Sequence, residues 1–244
     1  MGPEFVAHRG YRLHYPENTL LAIEAAGVAG ARYVEVDVQL SQDEVPVLFH
    51  DDTLERVCGV GGRVGDLRYE HLRDLAAQEF DRFGYRYRHA RIARLADLCA
   101  WLSEHPSVTA FVEIKEIAIA QFGAATVLER VLADIAPCAR QCVLISFSLP
   151  FLEKARSRVT VGGVVTRWRG RHAVLARIEP TYLFCDVKGL PVFGRITVPG
   201  VRTVVYEVAD PALAKRLFAR GVDLVETFAM GEMREALGLA NDRL

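Results

Sequence analysis

No run of apolar residues in this chain is long enough to cross a bilayer, and there is no block of like charge, no internal repeat and no low-complexity tract. A spanning helix takes about 20 consecutive apolar residues, so stable membrane insertion is not expected. Thirty Lys and Arg stand against 31 Asp and Glu, a net charge of −1. Such balance gives no global pull toward nucleic acid, and no nucleic-acid partner is expected. Cysteine is sparse and odd in number: Cys58, Cys99, Cys138, Cys142 and Cys185. A disulfide scaffold would show an even set at framework spacing, so reduced thiols and a cytoplasmic location are expected. Cys138 and Cys142 have no second pair or nearby His to complete a zinc site, and read as helix-end or loop thiols. No charged start, apolar stretch and cleavage site precede His8, which argues against a secretory leader.

What is present is globular: 51% hydrophobic and 25% charged residues over 244 positions, enough to bury a sizeable core in one domain, residues 1–244. Short β-rich runs alternate with helical patterns almost to the end. The strands expected are Phe5–His8, Tyr33–Val38, Thr109–Lys115, Gln141–Ser146, Thr160–Val165, Tyr182–Cys185, Val201–Tyr206 and Val222–Glu226. Helices are expected at Thr19–Ala29, Leu95–Glu104, Ile117–Ile135, Leu149–Ser157, His172–Arg177, Pro211–Arg220 and Glu232–Leu239, with Asn18 capping the first and a helical turn at Leu190–Ile196. Eight β runs separated by helices point to an α/β fold, a (β/α)8 barrel, with a doubly wound open sheet as the competing architecture. Residues 45–93, too long for an ordinary βα loop, read as a small insertion subdomain after the second strand region.

Glu35 and Asp37 lie two apart in Tyr33-Val34-Glu35-Val36-Asp37-Val38, so strand alternation puts both carboxylates on one face and valines on the other. Glu113 and Lys115 share a face in the same way. In a barrel the apolar face meets the helices and the carboxylates point inward near the strand's C-terminal end, where such barrels build their sites. Glu35, Asp37 and Glu113 are therefore candidate ligands of one hard divalent cation, Mg²⁺, Ca²⁺ or Mn²⁺. A buried ion-pair network around Lys115 is the competing reading, disfavoured because one Lys offsets three buried acids poorly. His8 and His50 each emerge where an apolar run meets a polar turn, a setting for an acid/base pair. Arg9, with the fork geometry that matches phosphate oxygens, follows His8 directly.

Taken together, these segments resemble the glycerophosphodiester phosphodiesterase family. The likeness is carried by His8-Arg9-Gly10 with Pro16-Glu17-Asn18-Thr19, by Glu35-Val36-Asp37 with Asp43-Glu44-Val45-Pro46-Val47, by His50-Asp51 with Leu54-Glu55-Arg56, and by Glu113-Ile114-Lys115. It implies a (β/α)8 barrel that hydrolyses a small-molecule glycerophosphodiester to glycerol 3-phosphate and an alcohol. It further implies His8 and His50 as general acid and base, Glu35, Asp37 and Glu113 as ligands of one divalent cation (usually Mg²⁺ or Ca²⁺), and Arg9 and Lys115 as phosphate contacts. The alternatives are a related diesterase for lysophospholipid or sugar-linked diesters, and a noncatalytic barrel that binds phosphorylated metabolites. The chain departs from the family pattern at Ser41, at Tyr206-Glu207-Val208-Ala209 and at Glu226-Thr227-Phe228.

Overall fold

Eight parallel strands close on themselves in the computed structural model, which describes residues 3–239. They are β1 (Glu4–His8), β2 (Tyr33–Leu40) and, after a short strand β3 (Pro46–Leu48), β4 (Thr109–Ile114), β5 (Cys142–Ser146), β6 (Val161–Val165), β7 (Tyr182–Asp186), β8 (Arg202–Tyr206) and β9 (Leu224–Thr227). Because β1 pairs with both β9 and β2, the ring has no free edge. β3 is antiparallel to the end of β2, with Leu48 opposite Val38. The architecture is a (β/α)8 barrel, and the open-sheet alternative falls.

The sequence dictates two layers of packing. Alternate strand residues such as Val34, Val36, Val112 and Leu144 point outward into the shell of helices. Their neighbours Val6, Phe111, Val143, Phe184, Val204 and Leu224 fill the barrel's interior. Phe111 alone stacks near Tyr33, Tyr182 and Phe184 at ring separations of 5.8, 4.8 and 4.9 Å. Burying a side chain of that size contributes about 2–3 kcal/mol. The middle of the interior is thus a solid apolar floor; at the strand N-termini Arg202 donates to the Tyr33 hydroxyl at 2.7 Å, and the carboxylates gather at the other end.

The helices are α1 (Leu20–Val28), α2 (Leu95–Glu104), α3 (Glu116–Phe122), α4 (Ala124–Ile135), α5 (Leu149–Ala155), α6 (Arg171–Ile178), α7 (Pro211–Ala219) and α8 (Met230–Ala236). Residues 49–94 form an excursion with three four-residue helical turns (Glu55–Cys58, Tyr69–Leu72 and Phe80–Phe83). Part of it packs on an apolar cluster of its own that includes Phe49, Leu54, Val57, Val64, Leu72 and Ile92.

Four expectations are corrected. Thr19, rather than Asn18, caps α1 by accepting from Ala22 N at 3.2 Å; Asn18 sits at φ +55° and turns its amide toward the barrel mouth. The single helix expected over 117–135 is two, because Gly123 at φ +80° breaks it. No helix forms over 190–196. The turn there is Val187–Gly189, and the chain beyond runs irregularly, held by Arg220 donating to the carbonyls of Pro191 and Gly194. Two prolines and two glycines in residues 191–200 explain why. Finally, Cys99 on α2 and Cys138 before β5 form a disulfide, with Cα atoms 5.7 Å apart, and the Cys142 sulfur lies 3.5 Å from that of Cys138. This removes the unpaired-thiol argument for a cytoplasmic location.

Candidate active site at the mouth of the barrel

β2 supplies the centre. Its inward side chains at the C-terminal end are Glu35, Asp37 and Gln39, all nearly fully buried. Strand register sets His8 beside Glu35 and Glu113 beside Asp37. Carboxylate oxygens of Glu35, Asp37 and Glu113 consequently lie within 4.8 Å of one another. Lys115, one residue beyond β4, places Nζ 3.2 Å from Asp37 Oδ1 and 2.8 Å from Glu113 Oε1. Arg9 Nε lies 3.0 Å from Asp37 Oδ2, and Arg9 Nη1 donates to Glu17 at 3.0 Å.

The turn after β1 is built for this. Arg9 itself is at φ +55°, which lets its backbone N–H donate to Glu35 Oε2 at 3.1 Å while its side chain reaches Asp37. Gly10 follows at φ +80°, where a Cβ would stand 2.6 Å from the Ala22 carbonyl carbon, so only glycine fits. Asn18 exchanges two hydrogen bonds with Asp37, donating to Oδ2 at 2.9 Å and accepting from the Asp37 amide at 3.0 Å. A non-glycine residue in this left-handed region costs of order 1 kcal/mol, offset here by charge-assisted bonds.

Both histidines are held at Nδ1 by a carboxylate. His8 Nδ1 bonds Glu207, which Arg12 also holds at 3.0 Å. His50 Nδ1 is 2.7 Å from Asp51 Oδ1, and Arg56 grips the same carboxylate at 2.6 Å. Gln39 fixes the turn that carries His50, donating to the carbonyls of Phe49, His50 and Asp51. His8, Arg9, Asp37, His50, Glu113 and Lys115 line one cavity of about 350 Å³. Of the seven residues singled out in the sequence, only Glu35 stands back from its wall, buried beside His8 with Oε2 3.9 Å from Nε2.

The electrostatics separate the acids. Burial pushes Glu35 well above the usual carboxylate range, and the charges of Asp37, Glu226 and Glu113 push the same way. Burial also pushes Asp37 upward, but Arg9 and Lys115 outweigh it and hold Asp37 well below its ordinary value. Burial and Asp37 raise Glu113 despite Lys115. Glu207 is burdened by burial, yet the His8 bond and Arg12 bring it down to about 2. Burial lowers His8 in spite of Glu207.

Does this donor set suit a divalent cation? Glu35 Oε1 is fully buried with no hydrogen-bond partner, so the site holds an oxygen whose demand for positive charge nothing in the protein meets. With oxygen donors converging and no sulfur among them, the residues fit a hard cation such as Mg²⁺, Ca²⁺ or Mn²⁺. The ion-pair network also exists, but it serves Asp37 and Glu113 and leaves Glu35 out.

The sequence marked no role at this site for Glu17, Gln39, Asp51, Glu207 or Glu226, and gave Asn18 a helix cap instead of its place beside Asp37. Gln39 continues the alternation of Glu35 and Asp37, a signal that extends the same face by one step. Glu17 is buried among Arg9, Arg12 and Arg56, an arrangement no local pattern reveals. Tyr206, weighed as a stacking or packing residue, lines the cavity while its hydroxyl donates to the Val165 carbonyl at 3.2 Å.

Comparison with known proteins gives one family and many similar folds. The model of the glycerophosphoryl diester phosphodiesterase family matches residues 8–227. Glycerophosphodiester phosphodiesterase 1 of Mus musculus is 37% identical over 110 residues, 45% of this chain and 33% of that protein. The Bos taurus protein of the same name is 32% identical over 151 residues, 62% of this chain and 44% of that one. The chain thus spans between a third and under half of the length of these curated relatives. Among solved structures, an Oleispira antarctica phosphodiesterase in complex with its product sn-glycerol-3-phosphate superposes with a TM-score of 0.83 at 23% identity, covering 97% of each chain. At that identity the likeness establishes the barrel fold.

Proposed function

Since the chain belongs to the glycerophosphoryl diester phosphodiesterase family, we propose that it hydrolyses glycerophosphodiesters to glycerol 3-phosphate and an alcohol, with a divalent cation bound at the barrel mouth. Glu35, Asp37 and Glu113 are the residues that would hold the cation. When bound, it supplies positive charge against the phosphate oxygens as negative charge grows there.

The chain's own residues do the rest. Ionised Glu207 and Asp51 only accept hydrogen bonds, so each fixes its histidine with the proton on Nδ1 and leaves Nε2 to exchange protons in the cavity. One imidazole takes the proton from the attacking oxygen, either water or the neighbouring glycerol hydroxyl. The other gives a proton to the departing alcohol oxygen as its bond to phosphorus breaks. Direct attack by water yields the products in one step; attack by the hydroxyl closes a cyclic phosphate that water opens afterwards. Arg9 and Lys115 stand by Asp37 with charge to offer the phosphate, and they keep Asp37 ionised. The observation that carries the reading is the pair of histidines, each locked at Nδ1 by a carboxylate, on a cavity that three carboxylates approach.

The opposite wall of the cavity, with Ile145, Phe147, Val164 and Phe184, favours a second reading in which the substrate carries an acyl chain. The test is release of glycerol 3-phosphate from glycerophosphocholine and glycerophosphoethanolamine by metal-stripped protein, with Mg²⁺, Ca²⁺ or Mn²⁺ restored separately, and lysophosphatidylcholine in a parallel arm. Cation-dependent release from the soluble diesters is expected. Release confined to the lysophospholipid arm replaces the first reading with the second, and no release in any arm overturns both, leaving sugar-linked diesters or a barrel that only binds.

A further inference from the structure

Two acids that the family resemblance does not account for enter the site from β8 and β9. Glu207 has its partners in His8 and Arg12. Glu226 has none of that kind. β9 pairs with β1 so that Glu226 stands beside Val6, with Leu224 two positions earlier filling the barrel interior and Val225 between them pointing outward. Glu226 therefore points inward and lines the cavity, and its residue is 4% exposed. Among the described residues its side chain makes no hydrogen bond, and the one basic group within ion-pair distance is His8, with Nε2 3.9 Å from Oε1.

Its neighbour across β1 is Glu35, the other acid left without a cationic side chain. Oxygens of Glu35 and Glu226 and a His8 nitrogen lie within 4.8 Å of one another. The ion pairs of Arg9 and Lys115 are with Asp37, Glu17 and Glu113 and with neither Glu35 nor Glu226. The unmet negative charge of the mouth therefore lies on the Glu35–Glu226 side, where Glu35 Oε1 is buried and unpartnered. Two buried carboxylates at this spacing repel strongly unless positive charge lies between them.

We propose that Glu226 is a direct ligand of the divalent cation that Glu35 holds, making the site of this chain a four-carboxylate one with a ligand from β9. The inference rests on the proposed cation dependence. A fourth carboxylate adds charge and donor number, which suits Ca²⁺, a cation that takes about six to eight oxygen ligands, over Mg²⁺, which keeps a strict octahedron and several waters. His8 remains beside the ligand set with Nε2 free for proton exchange.

Calorimetric titration of the metal-stripped protein with Ca²⁺ and with Mn²⁺ tests this without reference to turnover. Wild type is expected to bind one ion. Glu226→Gln should weaken that binding at least tenfold, Glu226→Asp should restore part of it, and the metal-free melting temperature of Glu226→Gln should equal or exceed that of wild type because a repulsion is gone. Glu35→Gln is the control. Binding by Glu226→Gln within twofold of wild type, while Glu35→Gln loses it, overturns the role of Glu226 and leaves the cation site standing. Two ions on wild type overturn the single-ion arrangement. A wild type that binds neither ion overturns the cation reading itself.

Discussion

On the β1–β2–β4 side of the mouth nearly every side chain that reaches the cavity is charged or titratable: His8, Arg9, Asp37, His50, Glu113 and Lys115. On the β5–β7 side the wall is mostly apolar, Ile145, Phe147, Val164, Phe184 and Val187, with Asp186 and Lys188 at and just past the end of β7. The first half is tightly cross-braced, since Asp37 alone meets Arg9, Lys115 and Asn18. The second is held by packing, and Phe147 remains 38% exposed. A diester has the same division: a phosphate whose charge changes during reaction, and an alcohol that only has to be accommodated. In the proposed reaction the braced half meets the phosphate and the apolar half meets the alcohol, with Glu207 and Glu226 on the seam beside β1.

That division can be broken from either side. The largest effect is expected in the charged half, where His8→Ala and His50→Ala should each lower kcat by roughly 10²–10⁴ with the fold intact. Steady-state kinetics with a circular dichroism spectrum checks both, and near-normal turnover in either variant removes that histidine from the acid/base pair. At the seam, Glu207→Gln should lower kcat by about 10- to 100-fold with little change in KM, because the bond at His8 Nδ1 no longer favours one tautomer. A ¹⁵N spectrum of the labelled histidines provides the second readout, and an unchanged His8 signal pattern counts against the positioning role. The smallest effect belongs to the apolar half. Phe147→Ala should raise KM by about 3- to 10-fold, roughly 1 kcal/mol of apolar contact, and leave kcat unchanged. A fall in kcat instead would place Phe147 with the chemistry and end the division.

Most of the barrel was legible because parallel strands buried on both faces read as β-branched runs, and glycines such as Gly30 and Gly221 stop helices between them. β2 was legible in detail. Its valines and carboxylates alternate strictly, and that alternation alone sets Glu35 and Asp37 on one side. Glu226 obeys the same rule but is the one acid in Leu224-Val225-Glu226-Thr227, so no second acid marked its face. Glu207 lies just past β8, where no periodicity constrains it. Asn18 was misread because both it and Thr19 can cap a helix, and only the positive φ at Asn18 settles which one does. The disulfide left no local trace. Its partners are 39 residues apart, and only the packing of α2 beside the segment that leads into β5 brings them together.

That cross-link has a topological consequence. The chain from Cys99 to Cys138 is a covalent ring, and the ring contains all of β4 together with Glu113, Lys115 and the joint at Gly123 between α3 and α4. Closing a loop of this length removes about 4 kcal/mol of conformational entropy from the unfolded chain. A protease that cuts inside the ring at Gly123 therefore leaves one covalent molecule, its two fragments joined through Cys99 and Cys138, with Glu113 and Lys115 still attached through Cys99. After reduction the same cut yields two pieces joined by packing alone.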